Sequence, residues 1–368
     1  MRYKLPDLRY QKKAKDPEVI LRNLKKDFEL KASVGIWYFT PAGGRFHERY
    51  VEEASIEDRI EMAAKMAKLG VTGIEAHFPK EINFDNLHLY KQLERSSGIR
   101  VAAVPFSHFY EKIFEFGSLS NPDPKSRARA KLIVVEALKL VKEIGARCAI
   151  SWPGIDGYRY MHGRPYMRFW ELFETTLAEA MDKVPGVMVA IEPKPYEPAP
   201  NNIYRNTGEG LLACRRIEGK LRHPTNRGLL LQGRALAAMN PEIGHVKMGY
   251  EILPSSFSLC GMEGRLAHTH WNSQPDGNYD QDNNIGVVNP HETEALLYSL
   301  WAMGYEGYLG IDVFPENIPV QKCVQINMRA LEKLRKRVAK LPHEAILDCH
   351  LRPDKNRGRL ETILIDSW

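Results

Sequence analysis

Short apolar runs alternate with longer stretches in which apolar residues recur every three or four positions, and this rhythm governs most of the chain. Ser33–Phe39 (SVGIWYF), Val71–Phe78 (VTGIEAHF), Arg100–Phe106 (RVAAVPF) and Arg147–Trp152 (RCAISW) read as buried strands in the first half. Val187–Glu192 (VMVAIE), Ala237–Asn240, Arg265–Trp271 (RLAHTHW) and Tyr308–Val313 (YLGIDV) continue the series. Helical periodicity predicts helices over Ser55–Leu69, Lys125–Ile144, Met167–Lys183, Gly208–Ile217, His291–Met303 and Val320–Leu341. Ser55, with Asp58 three residues on, makes a capping-box pattern, and Gly70 supplies the stop. Apolar strands that alternate with amphipathic helices call for parallel strands joined by crossovers. Eight such units predict a closed α/β barrel over residues 32–342. Residues 1–31 read as a charged, proline-punctuated arm with one short helix near Glu18–Phe28. His343–Trp368 reads as a tail without the strand–helix rhythm, packing on the barrel or on a neighbour.

Composition narrows this little. The 368 residues are 43% hydrophobic and 27% charged, enough for a large core, and a barrel uses this much chain as one unit. The formal charge of +6 is spread along the sequence. Its densest basic run, Lys333–Lys340 (KLRKRVAK), lies in a helical pattern and reads as a solvated face, and without interleaved aromatics it argues against a nucleic-acid surface. The five cysteines (Cys148, Cys214, Cys260, Cys323, Cys349) are scattered and never form CxxC, which suits reduced thiols and a cytoplasmic location. The N-terminal segment lacks the apolar stretch of a signal peptide, and no run is long enough to span a membrane.

The informative feature is what stands at the strand exits, whose side chains converge on one mouth in a parallel barrel. They carry His77, Trp152, Glu192 with Lys194, Glu242 with His245, His270, Asp280 with Asp282, and Asp312. Singly, a strand-end carboxylate is more often a helix cap and a histidine more often structural. Gathered in one mouth, the carboxylates would repel one another and lose their ionised forms unless divalent cations compensated them. Oxygen-rich ligands with few imidazoles and no thiolate favour magnesium, manganese or cobalt over structural zinc. Lys194 lies two residues from Glu192 on the same strand face, and Asp280 and Asp282, two apart in extended chain, are expected to point the same way.

Two segments, Val189–Pro198 (VAIEPKPYEP) and Asn240–His245 (NPEIGH), resemble the active-site strings of the xylose isomerase family. The likeness extends to Tyr279–Asp282 (YDQD), Gly304–Asp312 (GYEGYLGID), Gly35–Trp37 (GIW) and Ser151–Gly157 (SWPGIDG), over about residues 33–330. It implies a TIM barrel in which Glu192, Glu242, His270 and Asp312 hold a first, substrate-binding cation. Glu242 would bridge to a second held by His245, Asp280 and Asp282, the pair being Mn2+, Mg2+ or Co2+. Trp37 and Trp152 correspond to aromatic walls, His77 to a ring-opening histidine and Lys194 to a charge-stabilising donor, with Asp282 counted among the catalytic groups. Two departures stand out. His270 replaces an aspartate, as in rhamnose isomerases and ketose epimerases of the same superfamily, and Lys80 stands where an acidic partner of His77 is expected, with Glu81 adjacent.

The resemblance implies a metal-dependent aldose–ketose isomerase that acts on a small sugar by hydride shift. It further implies a homo-oligomer, a tetramer by analogy, with a hetero-complex as the alternative assembly. A sugar epimerase or the barrel subunit of a C-glycoside-cleaving enzyme is the alternative chemistry, and a non-catalytic sugar-binding protein a third reading.

Overall fold

A computed structural model describes residues 3–40 and 52–367, so Met1 and Arg2 of the arm and Trp368 of the tail lie outside the described residues. Eight parallel strands form the sheet: β1 (Ala32–Gly35), β2 (Val71–Glu75), β3 (Arg100–Pro105), β4 (Cys148–Ser151), β5 (Val189–Ile191), β6 (Ala237–Met239), β7 (Thr269–Trp271) and β8 (Leu309–Ile311). Their order is β6-β5-β4-β3-β2-β1-β8-β7. The ring closes between β6 and β7 through single parallel bridges, Met239 with Leu266 and Glu242 with His270. The barrel expected from the sequence is therefore observed, and one closing bridge joins two residues of the predicted site.

Helices α1 (Pro17–Leu24), α2 (Ile56–Met66), α3 (Leu87–Ser97), α4 (Pro124–Ile144), α5 (Tyr166–Lys183), α6 (Thr207–Lys220) and α7 (Pro224–Leu231) come first in the chain. They are followed by α8 (Ile243–Met248), α9 (Leu253–Met262), α10 (Pro290–Met303), α11 (Val320–Lys340), α12 (His343–Leu351) and α13 (Arg359–Asp366). Local chemistry sets their ends. The Ser55 hydroxyl accepts from the Asp58 amide, and Gly70 at φ 91° lets the chain turn into β2. Asp123 caps α4, and Gly145 at φ 76° ends it. Between these caps, Ala130, Ile133, Val134, Ala137, Leu138, Val141 and Ile144 recur at helical spacing and are buried. Removing one such leucine side chain would cost about 2–5 kcal/mol.

Alternate strand residues face two cores. Ala149, Val189, Ile191, Ala237 and Met239 pack outward beneath the helices. Ala103, Cys148, Ile150, Met188, Ala190 and Ala238 form a second cluster, in which four of the six side chains are alanine or cysteine, suited to a narrow lumen. Leu8 of the N-terminal arm joins that cluster. The Tyr3 hydroxyl accepts from the Met188 amide, and Gln11 exchanges two hydrogen bonds with the backbone of Leu266. The arm thus closes the end of the barrel opposite the strand exits.

Several sequence expectations need correction. The run Ser33–Phe39 leaves strand geometry at Ile36 and becomes a 3-10 turn, and Val71–Phe78 ends as a strand at Glu75. In both cases the exit residues must splay toward the mouth, so apolar character outlasts ladder pairing. Helices α3, α7, α8 and α9 interrupt segments read as connections. The tail is helical, α12 and α13 joined by a 3-10 turn, with Ile346 and Cys349 buried. All five cysteines are free and buried, and no helix among the described residues is long and apolar enough to cross a membrane.

Candidate metal centre

The strand exits enclose a cavity of about 250 Å³ lined by Trp37, His77, Pro105, Trp152, Glu192, Lys194, Glu242, His245, His270, Asp280, Asp282 and Asp312. Every site residue named from the sequence lies in this wall, and Pro105 is the one addition. Glu192 and Lys194 follow β5, and Asp312 follows β8. Glu242 is the extended N-cap residue of α8, which places His245 in that helix's first turn, its Nε2 3.3 Å from Glu242 Oε2.

Among the described residues, three groups of histidine and carboxylate donors lie close enough to hold an ion: two face the cavity, and the third, Glu75 with His268 and His270, lies behind it. One donor atom each from Glu192, Glu242, His270 and Asp312 lies within 4.8 Å of the others, and the same holds for Glu242, His245 and Asp280. In the first group His270 Nδ1 stands 3.2 Å from Glu192 Oε2, 3.1 Å from Asp312 Oδ2 and 4.0 Å from Glu242 Oε2. In the second, His245 Nε2 is 3.3 Å from both Glu242 Oε2 and Asp280 Oδ2. Glu242 belongs to both. Asp282 lines the cavity but stands outside the second group, its Oδ1 accepting from Asn272 Nδ2 at 2.7 Å. The backbone at Asp282 is left-handed (φ 46°), so the stretch is not regular extended chain, yet Asp280 and Asp282 both face the cavity. A non-glycine residue held there carries a strain cost of about 1–3 kcal/mol, which the surrounding loop must over-determine.

Carboxylates outnumber the cationic side chains in the cavity wall. Burial, with Asp280, Asp282, Asp312 and Glu192 around it, pushes the Glu242 carboxyl well above the usual range. Burial and the charges of Asp280 and Asp312 do the same to Asp282. Burial also opposes ionisation of Asp280, but His245 and Lys194 outweigh it and hold that carboxyl low. Burial disfavours the Lys194 ammonium, yet Asp280 at 2.7 Å, with Glu242 and Asp282 beyond, raises its pKa on balance. Asp280 Oδ1 is buried without a hydrogen-bond partner. Clustered carboxylates, two of them driven toward the neutral form, and an unpartnered buried oxygen suit hard divalent cations. The donor set fits.

Around the ligands lie polar groups that the sequence reading passed over. Asn240 Nδ2 donates to Glu192 Oε2 at 2.7 Å, and Asn272 Nδ2 to Glu242 Oε1 at 2.8 Å. Asn272 Oδ1 accepts from the Gly244 amide, where a Cβ would meet Glu242 Oε1 at 2.9 Å. Glu75 and His268, both buried, contact each other and His270. A charged residue ending an otherwise apolar strand, and a histidine two before His270 on the same strand face, were the available signals.

The cavity walls follow the sequence reading more closely. Trp37 Nε1 donates to Asp312 Oδ1 at 3.1 Å, and the Trp37 ring meets His77 edge-on at 4.6 Å. A Cβ on Gly35 would lie 2.2 Å from the Trp37 ring, so that position must stay bare. Lys194 Nζ is 5.5 Å from the centre of the Trp152 ring. Glu81 takes the place of the missing acidic partner: its Oε2 accepts from the His77 amide at 2.7 Å and lies 3.1 Å from His77 Nδ1. Lys80 turns away, over the ring of Tyr110 at 3.5 Å. Burial lowers and Glu81 raises the His77 pKa, with a net rise.

The family model for xylose isomerase-like TIM barrels matches residues 63–336, most of the chain and nearly all of the cavity wall. The chain belongs to the xylose isomerase-like TIM barrel family. It is 26% identical over 262 residues to xylose isomerase of Thermus thermophilus, an alignment covering 68% of this chain and 64% of that enzyme. It therefore spans just under two thirds of that relative's length. Among solved structures it is similar to L-ribulose 3-epimerase (TM-score 0.60, 14% identity, 86% of this chain and 98% of that one). It is similar also to 3-keto-D-glucoside 4-epimerase from E. coli (TM-score 0.57, 14% identity, 84% and 100%). At those identities the two epimerases share the xylose isomerase-like fold, and the family's typical barrel is what the likeness carries.

Proposed function

We propose that this protein is a divalent-metal-dependent aldose–ketose isomerase that acts on a small sugar by 1,2-hydride shift. The observation that carries the reading is the meeting of two ligand groups sharing Glu242 with a buried lysine, Lys194, in one aromatic-walled cavity. Glu192, Glu242, His270 and Asp312 would hold one cation, and Glu242, His245 and Asp280, with Asp282 beside them, the other. Bound there, Mg2+, Mn2+ or Co2+ would supply Lewis-acid polarisation of adjacent sugar oxygens and acidify water.

The chain's own residues do the rest. Lys194 Nζ, which pairs with Asp280 at 2.7 Å in this structure, would donate to the sugar oxygen on which charge develops. Trp37 and Trp152 exclude water from the carbons between which hydride passes. Glu81 accepts from His77 Nδ1–H, which fixes that tautomer and leaves Nε2 as the ring's acceptor for a hydroxyl proton during sugar ring opening.

A second reading is an epimerase or a C-glycoside-cleaving barrel subunit working by proton transfer. The Lys194–Asp280 ion pair at 2.7 Å favours it, since a lysine serving only to balance Asp280 needs no part in hydride transfer. Screening pentoses, hexoses and deoxysugars with Mg2+, Mn2+ and Co2+ in deuterated water separates the two. A hydride shift leaves the carbon-bound positions of the product unlabelled. Solvent deuterium on carbon would replace the proposal with the second reading.

A further inference from the structure

His270 brings an imidazole to a ligand group otherwise made of carboxylates, and what lies behind that ring accounts for the substitution. Glu75, the last residue of β2, is 1% exposed and does not line the cavity. Its carboxylate accepts from the Ser33 hydroxyl at 2.7 Å and faces His268 Nε2 at 2.9 Å and His270 Nε2 at 3.0 Å. Among the described residues no lysine or arginine forms an ion pair with Glu75. Gly310 of β8 leaves it room, because a Cβ there would lie 2.6 Å from Glu75 Oε1 and 2.9 Å from His268 Nε2.

An ionised carboxylate only accepts, so both imidazoles must present an N–H at Nε2. A neutral imidazole carries one such hydrogen. With a cation bound, the ring would be neutral and His270 would keep its lone pair on Nδ1, the atom 3.2 Å from Glu192 and 3.1 Å from Asp312. We propose that Glu75 is a positioning residue of the metal centre. It holds His270 in the Nε2–H form, aims the Nδ1 lone pair at the first cation site, and returns through the ring the negative charge that a carboxylate at position 270 would have supplied. A histidine ligand polarised by a carboxylate on its far nitrogen is more basic and better oriented than a free imidazole. Ser33 and His268 keep Glu75 in place. The assignment rests on the metal-binding reading above.

The test titrates Mg2+ into cation-free wild-type and Glu75→Gln protein by calorimetry. Nitrogen-15 spectra of histidine-labelled, Mg2+-saturated protein are recorded in parallel, with His270→Gln identifying the signal. Glutamine offers two imidazoles one acceptor and one NH2 donor, so one ring loses its partner. Glu75→Gln is expected to weaken binding at the first site about 10- to 100-fold, to leave the second site unchanged, and to broaden or shift the His270 nitrogens. Wild type alone should show a protonated Nε2 and an unprotonated Nδ1, a readout that does not depend on the variant folding. A protonated Nδ1 in wild type, or unchanged affinity with an unchanged His270 spectrum in Glu75→Gln, overturns the assignment. Wild type that binds no cation overturns the metal-centre reading itself, and the assignment with it.

Discussion

Replacing Lys194 by methionine removes one charge from a place where nearly everything else is negative. The ammonium is 7% exposed, 2.7 Å from Asp280 and 3.6 Å from Glu197. At an effective dielectric constant of about 20, the attraction across 2.7 Å is about 6 kcal/mol before desolvation is subtracted. Breaking a buried pair by deleting one partner costs about 3–5 kcal/mol. Methionine keeps the packing volume near Trp152, so that cost comes from leaving the Asp280 charge exposed to its neighbours. Cation-free Lys194→Met should therefore melt well below wild type, and saturating Mn2+ should recover most of the difference, because the cation replaces the lost positive charge. Turnover of the Mn2+-loaded variant on the substrate found by screening should fall by about 10²- to 10³-fold, as on losing one donor to a developing oxyanion. Scanning fluorimetry with and without chelator reads the first effect, and initial rates under identical cation the second. Full activity in Lys194→Met would refute the role given to Lys194 and leave it a counter-charge to Asp280.

Asp282→Asn should weaken the second cation by at least about tenfold and spare the first, because Asp282 is proposed to complete the second site beside Asp280; stepwise calorimetric titration resolves the two. The metal-free protein should lose stability as pH rises. Glu242 and His270 are both raised above their ordinary 4.5 and 6.5, so their stabilisation is fully present below those values and disappears as pH climbs through the raised ones. The lowered carboxyls, Glu192 and Asp280, act only at the acid end, where their stabilisation is lost as pH falls. A melting curve series in EDTA should thus slope downward above neutrality and flatten with Mn2+, and identical slopes would contradict the assigned proton binding. The protein should also be oligomeric, since Leu351, Leu364 and Ile365 of the tail remain exposed on the single chain; light scattering at micromolar concentration that reports a monomer would exclude this.

Much of the architecture was readable because alternation and helical periodicity are imposed by burial on every strand and helix. The apolar runs outlast the strands at Ile36 and at Ala76–Phe78, where side chains stay apolar after the ladder stops. Short helices such as α8 were missed because six residues give no period to detect. The cavity residues were legible through their sequence strings, and all converge. What lay hidden was the support behind them. Asn240, Asn272, Glu75 and His268 act by contacts between strands distant in the chain, as with Glu75 and His268, 193 residues apart. The left-handed turn at Asp282 was equally invisible, since aspartate does not announce a positive φ.

Crystals of the protein equilibrated with Mn2+, with data collected at the manganese absorption edge, test the central claim most directly. Two anomalous peaks should appear, one among Glu192, Glu242, His270 Nδ1 and Asp312, the other beside Glu242, His245 and Asp280, with ligand distances of about 2.0–2.3 Å. No peak in this cavity at saturating Mn2+, or ions bound only elsewhere, would contradict the account.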